Sequence, residues 1–153
     1  MQNGIESEER LATLAEGTPL TIDPSGSWER ARWIKLGVNS VANGLTALTQ
    51  RSSEVLGDPG MGEIGEALLT ECWTVGRAAG VDLDLDGIAK VVNGMATTTV
   101  TRTSMQQDRE AGRPTEHDAI HGAVLRAGER YGVDTPVTAI VHALMAAQPV
   151  NHA

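Results

Sequence analysis

Large aromatic side chains are scarce in this sequence of 153 residues, which contains no Phe, three Trp and one Tyr. A core without large rings must be built from small aliphatic side chains, and these favour helices that approach one another closely. Cys72 is the one cysteine, which excludes an internal disulfide framework. Long apolar runs are absent and the first residues, MQNGIESEER, are too polar for a signal peptide, so we predict a cytoplasmic protein.

Positively charged residues are also few. The chain has 12 Lys and Arg against 20 Asp and Glu, which gives a formal net charge of -8. The phosphates of a nucleic acid or of an anionic membrane would be repelled over most of such a surface. We therefore predict no nucleic-acid and no membrane partner, and expect a small molecule or another protein instead.

Apolar residues recur at helical spacing along most of the chain, and no segment alternates apolar and polar residues as a half-buried strand does. The sequence predicts an all-α, multi-helix domain over residues 28–153. Residues 1–27 are expected to form a short charged helix and a linker. The first helix of the domain begins near Trp28, and Gly44 is expected to bend or end it. Further helices are predicted over residues 63–79, 86–101, 104–111, 115–131 and 136–147.

Three residues are predicted to set helix ends in the C-terminal half of the chain. Thr115 is suited to cap the first turn of the helix that follows it, and Thr135, just before Pro136, is expected to start the last helix. Gly132 suits the turn after the helix that begins near Thr115, because glycine readily adopts the left-handed conformation found there.

Three short motif matches are interpreted as structural. GMGEIG at 60–65 matches a dinucleotide-binding fingerprint but lacks the strand that should lead into it. DLDLDG at 82–87 resembles the start of a calcium-binding loop, yet its twelfth position is Asn93, where a bidentate Glu is needed. HDAIH at 117–121 places two imidazoles one turn apart without an evident third ligand. We therefore predict no metal site.

The stretch WIKLGVNSVANGLTA, residues 33–47, is unusual because polar side chains interrupt an apolar helix at regular spacing. Lys35, Asn39 and Asn43 are four residues apart, which puts their side chains on one face. A lone Lys on such a face usually extends to solvent, and a lone Asn usually bonds a neighbouring backbone group. A second polar segment, SMQQDREAGRPTEHDAIHG at 104–122, places Ser104 and Glu116 on either side of a tight turn and favours a functional interpretation.

These two segments resemble the ketopantoate reductases (2-dehydropantoate 2-reductases), specifically their helical C-terminal domain. Lys35, Asn39 and Asn43, followed by Leu-Thr-Ala at 45–47, look like the Lys, the two Asn and the Leu-Thr-Ala of that family. The resemblance implies the fold of the ketopantoate reductase C-terminal domain, which is of the 6-phosphogluconate dehydrogenase C-terminal type.

Further motifs carry the resemblance along most of the chain from residue 28 onward. SMQQD at 104–108 and RPTE at 113–116 look like the family's Ser-Met-x-x-Asp and Arg-Pro-Thr-Glu, and the likeness continues through GVDTPVTAIVHALM at 132–145. MQNGIESEERL resembles the family's Gln-Asn-Gly segment at the substrate cleft. His117 and His121 are departures, because they stand where the family usually has Ile and Asn, and they add two titratable groups beside Glu116.

The resemblance implies roles for particular residues in the reduction of a small keto acid to a hydroxy acid. Lys35 would donate the proton, and Glu116 would bind the substrate hydroxyl or Lys35 itself. The substrate would be held by Asn39, Asn43, Ser104 and Asn3. Of these, Ser104 would bind the carboxylate of the substrate. A positioned cation suits this chemistry, because negative charge develops on the ketone oxygen during reduction. His117 and His121 are possible accessory residues.

The segment before Trp28 is too short to form the nucleotide-binding domain of that family. The chain alone is therefore expected to bind no cofactor, and NADPH would require a separate nucleotide-binding domain or partner protein. Two alternatives remain at this point: a free-standing, cofactor-independent enzyme that uses the same cleft for proton transfer, cyclisation or elimination, and a non-catalytic helical dimerisation module. A helical half-domain without its covering partner should leave apolar surface, so we also predict a homodimer.

Overall fold

A computed structural model describes residues 28–98 and 100–149 of the chain, and these residues form an all-α domain. The predicted N-terminal helix and linker, residues 1–27, lie outside the described residues. The helices are α1 (Trp28–Thr49), α2 (Met61–Ala78), α3 (Leu85–Thr97), α4 (Ser104–Glu110), α5 (Ala123–Tyr131) and α6 (Pro136–Ala146), with a 3-10 turn at Ser53–Gly57 and a π-helical turn at Asp118–Gly122.

Helix α1 is the central element of the domain. Every residue from 40 to 47 is buried. The helix packs against α2, α3, α4 and α6 as well as against both turns, so no side of its second half faces solvent. A helix surrounded in this way is expected to be apolar on all faces, and its apolar residues indeed form the centre of the main core cluster.

Gly44 does not end the first helix, so that part of the expectation is wrong. Helix α1 continues through Gly44 to Thr49. A Cβ atom at Gly44 would lie 2.7 Å from Nε2 of His121 and 3.4 Å from Cγ1 of Val141. The glycine is therefore a point of close approach between α1, the π-helical turn and α6, and the packing of α1 on all sides outweighs the low helix propensity of glycine.

The predicted helix ends in the C-terminal half are partly correct. Gly132 has φ of 69° and ends α5 as expected. Helix α6 starts at Pro136 directly after Thr135, also as expected, although the Thr135 side chain makes no capping bond. The cap of α6 comes from α2, where the carboxylate of Glu71 accepts hydrogen bonds from the backbone N–H groups of Val137 and Thr138 at 2.8 Å each. Because 66 residues separate Glu71 from Val137, this cap depends on tertiary packing.

The helix predicted over 115–131 begins with a π-helical turn, and Thr115 does not cap it. The hydroxyl of Thr115 instead lies 3.0 Å from Nδ1 of His117. A π-helical turn adds one residue to the helical circumference and is found frequently at functional sites. In this domain it carries His121 inward, where the side chain is completely buried.

Two of the motif matches occupy ordinary structural positions. GMGEIG follows a 3-10 turn, and Gly60, with φ of 80°, precedes the start of α2; no strand occurs in the described part of the chain. In DLDLDG, Asp82 pairs with Arg77 at 2.6 Å. Residues 28–98 and 100–149 contain no group of three or more His, Cys, Asp or Glu arranged to hold a metal ion. In the same residues no helix has the length and apolarity needed to cross a membrane.

Candidate functional site

A groove of about 390 Å³ lies between the first half of α1 and the segment formed by the π-helical turn and α5. Its apolar lining includes Leu36 from α1 and Ile120 from the π-helical turn. Four polar side chains, all from α1, complete the lining: Glu29, Arg32, Lys35 and Asn39. They follow one another at intervals of three or four residues, which places them along one face of the helix.

Lys35 and Asn39 are brought together by this geometry, as the sequence analysis predicted for two residues one turn apart. Lys35 is exposed, and no hydrogen bond or ion pair joins its ammonium group to the described residues. The side-chain amide of Asn39 likewise has no such bond. A cation and an amide beside an apolar surface can together bind the carboxylate or the carbonyl oxygen of a small acid.

Asn43 continues the same row but is buried, with 8% of its surface exposed. Its backbone carbonyl accepts a bond from Thr46, whereas its side-chain amide makes no hydrogen bond with the described residues. Buried amides are normally paired, so this amide is available to a ligand or to water. Asn43 does not line the groove that contains Lys35 and Asn39.

Ser104 is the first residue of α4 and is exposed. Its position is set by Thr103, whose hydroxyl accepts a capping bond from the backbone N–H of Gln106 and lies 2.7 Å from the hydroxyl of Thr46 on α1. The start of α4 is therefore tied to α1 one turn beyond Asn43. Ser104 does not line the groove.

Glu116 is exposed and lies just before the π-helical turn, outside the groove lining. No hydrogen bond or ion pair joins its carboxylate to Lys35 or Ser104. Its backbone carbonyl accepts a bond from the N–H of Ile120, a residue that does line the groove. Asn3, the remaining predicted substrate ligand, lies outside the described residues.

His121 connects the π-helical turn to α1 beside the polar row. Its Nε2 lies 2.9 Å from the backbone carbonyl of Ser40 and donates a hydrogen bond to it, which defines the neutral tautomer. Ser40 is adjacent to Asn39, so this bond fixes the distance between the two walls of the groove. His117 is partly exposed, and its ring centroid lies 5.2 Å from that of His142.

Burial lowers the pKa of His121 below its ordinary value of 6.5. The bond to the Ser40 backbone opposes this change, while the charges of protonated His142 and His117 add to it. Because folding lowers this pKa, the unfolded chain binds a proton at His121 at a higher pH than the folded chain does. The stability that neutral His121 provides is therefore complete above pH 6.5 and is lost as the pH falls below that value.

We expect the free energy of unfolding to decrease as the pH is lowered from about 7 to about 5, and this decrease to be smaller in His121→Asn. The measurement is urea unfolding at a series of pH values. His117→Asn is the comparison variant, because it removes a partly exposed imidazole and leaves the buried His121 in place, so most of the slope of the parent chain should remain. The pKa of Asp118 is lowered by its hydrogen bond from Arg126, so that carboxylate titrates at more acidic pH. If the free energy of unfolding had the same pH dependence in His121→Asn and in the parent, His121 would not be its cause.

Sequence reasoning missed several residues of the groove, namely Glu29, Arg32, Trp33 and the small side chains of α5. The spacing of Arg32 and Lys35 would have predicted that they share a face, since they are three residues apart. The contribution of α5 was not predictable in this way, because it depends on how α5 packs beside α1.

Known proteins match this chain over most of its length. The family model described as "Ketopantoate reductase PanE/ApbA C terminal" matches residues 27–148. A 2-dehydropantoate 2-reductase from Caulobacter vibrioides is 34% identical over 138 residues, which cover 90% of this chain and 47% of the relative. The chain thus spans about half the length of the curated relatives that it matches.

Solved structures are likewise matched over only part of their length. A PanE/ApbA family ketopantoate reductase from Ralstonia eutropha has a TM-score of 0.79 and 28% identity, covering 90% of this chain and 47% of that one. A D-mandelate dehydrogenase solved with NADH and anilino(oxo)acetate has a TM-score of 0.82 and 25% identity, covering 94% of this chain and 61% of that one. From the helical fold, the Lys35 and Asn39 groove and the match over residues 27–148, we conclude that this chain belongs to the ketopantoate reductase family and corresponds to its helical C-terminal domain.

Proposed function

We propose that this chain is the substrate-binding and proton-donating part of a reductase that acts on a small 2-oxo acid. The observation that carries the proposal is the ammonium group of Lys35, which pairs with no described residue and lies beside Asn39 in a groove with an apolar wall. The relatives quoted above are oxidoreductases by name. One of them was solved with anilino(oxo)acetate, a 2-oxo acid analogue.

Lys35 is the proton donor in this proposal. Reduction of a ketone builds negative charge on its oxygen, and a positioned ammonium group both stabilises that charge and supplies the proton. Asn39 holds the substrate through an amide that no described residue engages. The amide of Asn43 is equally unengaged but lies outside the groove lining, so its role in substrate binding stays a prediction. The family resemblance implies that Ser104 binds the substrate carboxylate and that Glu116 binds its hydroxyl group or Lys35. Neither residue lines the groove, so these two roles stay predictions. His121 keeps the wall of the groove in place through Ser40.

The described residues do not fit a nicotinamide nucleotide. Dinucleotide recognition requires a buried strand, a glycine-rich turn and a helix N-terminus in succession. The one matching motif, at residues 60–65, follows a 3-10 turn, and the described part of the chain contains no strand. In this proposal the nucleotide is therefore bound by a separate domain or partner protein, and the residues of this chain contribute binding, orientation and proton transfer.

The isolated chain is accordingly expected to bind neither NADPH nor NADH with useful affinity. Isothermal titration calorimetry on the 153-residue chain tests this directly. A dissociation constant in the micromolar range for either nucleotide would contradict the expectation, because it would require a phosphate site that the described residues do not form.

The two lysines of the chain, Lys35 and Lys90, allow a sharp test of the substrate site. Reductive methylation with 13C-formaldehyde labels both side chains, and their NMR signals are assigned with Lys35→Met and Lys90→Met. We expect 2-dehydropantoate to shift the Lys35 signal and to leave that of Lys90 unchanged. Lys90 is the matched control, being exposed on α3 outside the groove. An unchanged Lys35 signal at about 10 mM acid would refute the proposed site.

A further inference from the structure

Arg32 is a second cation in the groove that contains Lys35 and Asn39. It lies three residues before Lys35 on α1, so the two side chains project from the same face of the helix. Lys and Arg are few in this chain, whose formal net charge is -8. Two cations in one small groove therefore give it a positive potential on a molecule that is negative overall.

The guanidinium group of Arg32 makes no hydrogen bond and no ion pair with the described residues. Every other arginine in the described part of the chain is engaged. Arg130 lies over the ring of Tyr131, and Arg30 has an interaction as well. The remaining arginines bind carboxylate, amide or carbonyl oxygens: Arg51, Arg77, Arg102, Arg109, Arg113 and Arg126. Arg32 is thus the exception, and it is also the arginine that lines the groove.

Glu29 is the nearest candidate for an intrahelical partner of Arg32, because it lies one turn earlier on the same face of α1. Opposite charges three residues apart on a helix often form a pair. No ion pair joins these two side chains. The N–H donors of Arg32 are therefore available to a ligand. Glu29, Arg32 and Lys35 together leave one net positive charge in the groove, which suits a ligand with one negative charge.

We propose that Arg32 binds the carboxylate of the 2-oxo acid while Lys35 binds its ketone oxygen, an inference that rests on the proposed function. The two groups of such an acid are on adjacent carbon atoms. Side chains three residues apart on a helix start about 5–6 Å apart at Cβ, so both can reach neighbouring atoms of one small ligand. The planar guanidinium group matches a carboxylate with two parallel hydrogen bonds, which an ammonium group does not.

The second wall of the groove indicates the chemistry of the rest of the ligand. Ala119, Ala123 and Ala127 line this wall at intervals of four residues, together with Ile120. A ligand whose carboxylate and ketone oxygen are held by α1 turns its remaining part toward these apolar side chains. A charged group placed there would lose its hydration without gaining a partner. The class of ligand is therefore a 2-oxo monocarboxylic acid with a largely apolar side chain.

Arg32 takes the role that the family resemblance gives to Ser104. Ser104 is on α4 and does not line the groove, whereas Arg32 does. A hydrogen bond between two charged groups is also about twice as strong as one between neutral groups. The two residues therefore predict different results for the same binding measurement.

The NMR signal of 13C-methylated Lys35 reports binding to the complete chain without a nucleotide or a catalytic assay. Titration with 2-dehydropantoate gives the dissociation constant. Arg32→Gln should weaken the binding of this acid about 10-fold or more, because the charge-assisted bonds to the carboxylate are lost. The affinity for the lactone of 2-dehydropantoate, which keeps the ketone but has no carboxylate, should not change. A merely structural role of Arg32 would weaken the binding of both compounds.

Arg30→Gln is the matched control, since Arg30 is exposed on the same helix but does not line the groove. Its affinity for the acid should equal that of the parent. Equal affinities of Arg32→Gln and the parent would overturn the inference and leave the proposed function intact. A loss of affinity in Ser104→Ala but not in Arg32→Gln would assign the carboxylate to Ser104 and would overturn it as well. A parent chain whose Lys35 signal the acid does not shift would refute the proposed function, and the inference with it.

Discussion

Lys35→Met is expected to lower kcat/KM for the reduction of a 2-oxo acid by about a hundredfold or more. Methionine keeps the approximate volume of the side chain but removes both the positive charge and the proton. The assay measures NADPH oxidation by the chain in complex with the separate domain or partner protein that binds the nucleotide in the proposal above. Because Lys35 is exposed and makes no ion pair or hydrogen bond with the described residues, the thermal stability of the variant should be unchanged.

Lys90→Met is the control for this experiment, since it removes the same charge from an exposed position on α3. Its kcat/KM should equal that of the parent. If Lys35→Met retained full activity, proton donation by Lys35 would be ruled out. If it lost activity and thermal stability together, the loss would reflect unfolding and would also contradict the role proposed here.

Gly44→Ala is expected to reduce the free energy of unfolding by about 1–2 kcal/mol, although alanine is the better helix former by about 1 kcal/mol. The added Cβ would lie 2.7 Å from Nε2 and 2.9 Å from Cε1 of His121. His121 is fully buried and bonded to the Ser40 carbonyl, so a shift of its ring would lengthen or break that bond. Urea unfolding measures the effect.

Gly94→Ala is the matched substitution in helix α3, where a Cβ would meet no heavy atom within 4 Å. This variant should gain about 0.5–1 kcal/mol of stability from helix propensity alone. Overpacking lowers the free energy of unfolding and helix propensity raises it, so the opposite signs expected for Gly44→Ala and Gly94→Ala distinguish the two causes. In a His121→Ala background the cost of Gly44→Ala should disappear, since the clashing ring is gone. Persistence of the cost in that background would show that His121 is not its cause.

The polar residues along one face of α1 show how much of a site can be predicted from the local spacing of residues. Four residues separate Lys35 from Asn39, and any helix in this segment must place them on one face. Their common groove, however, requires the π-helical turn and α5 as its second wall. The positions of Ser104 and Glu116 relative to that groove depend on the turns that lead into α4 and α5. Helical periodicity carries no information about those turns.

The sequence by itself determined the all-α class, the approximate bounds of the described helices and the end of α5 at Gly132. These features follow from periodicity and backbone propensity within a few residues of each position. Only the tertiary structure decided that Gly44 is a contact with His121 and that Glu71 caps α6. In both cases the deciding neighbour is far away in the sequence, and such neighbours exist only once the helices have packed together.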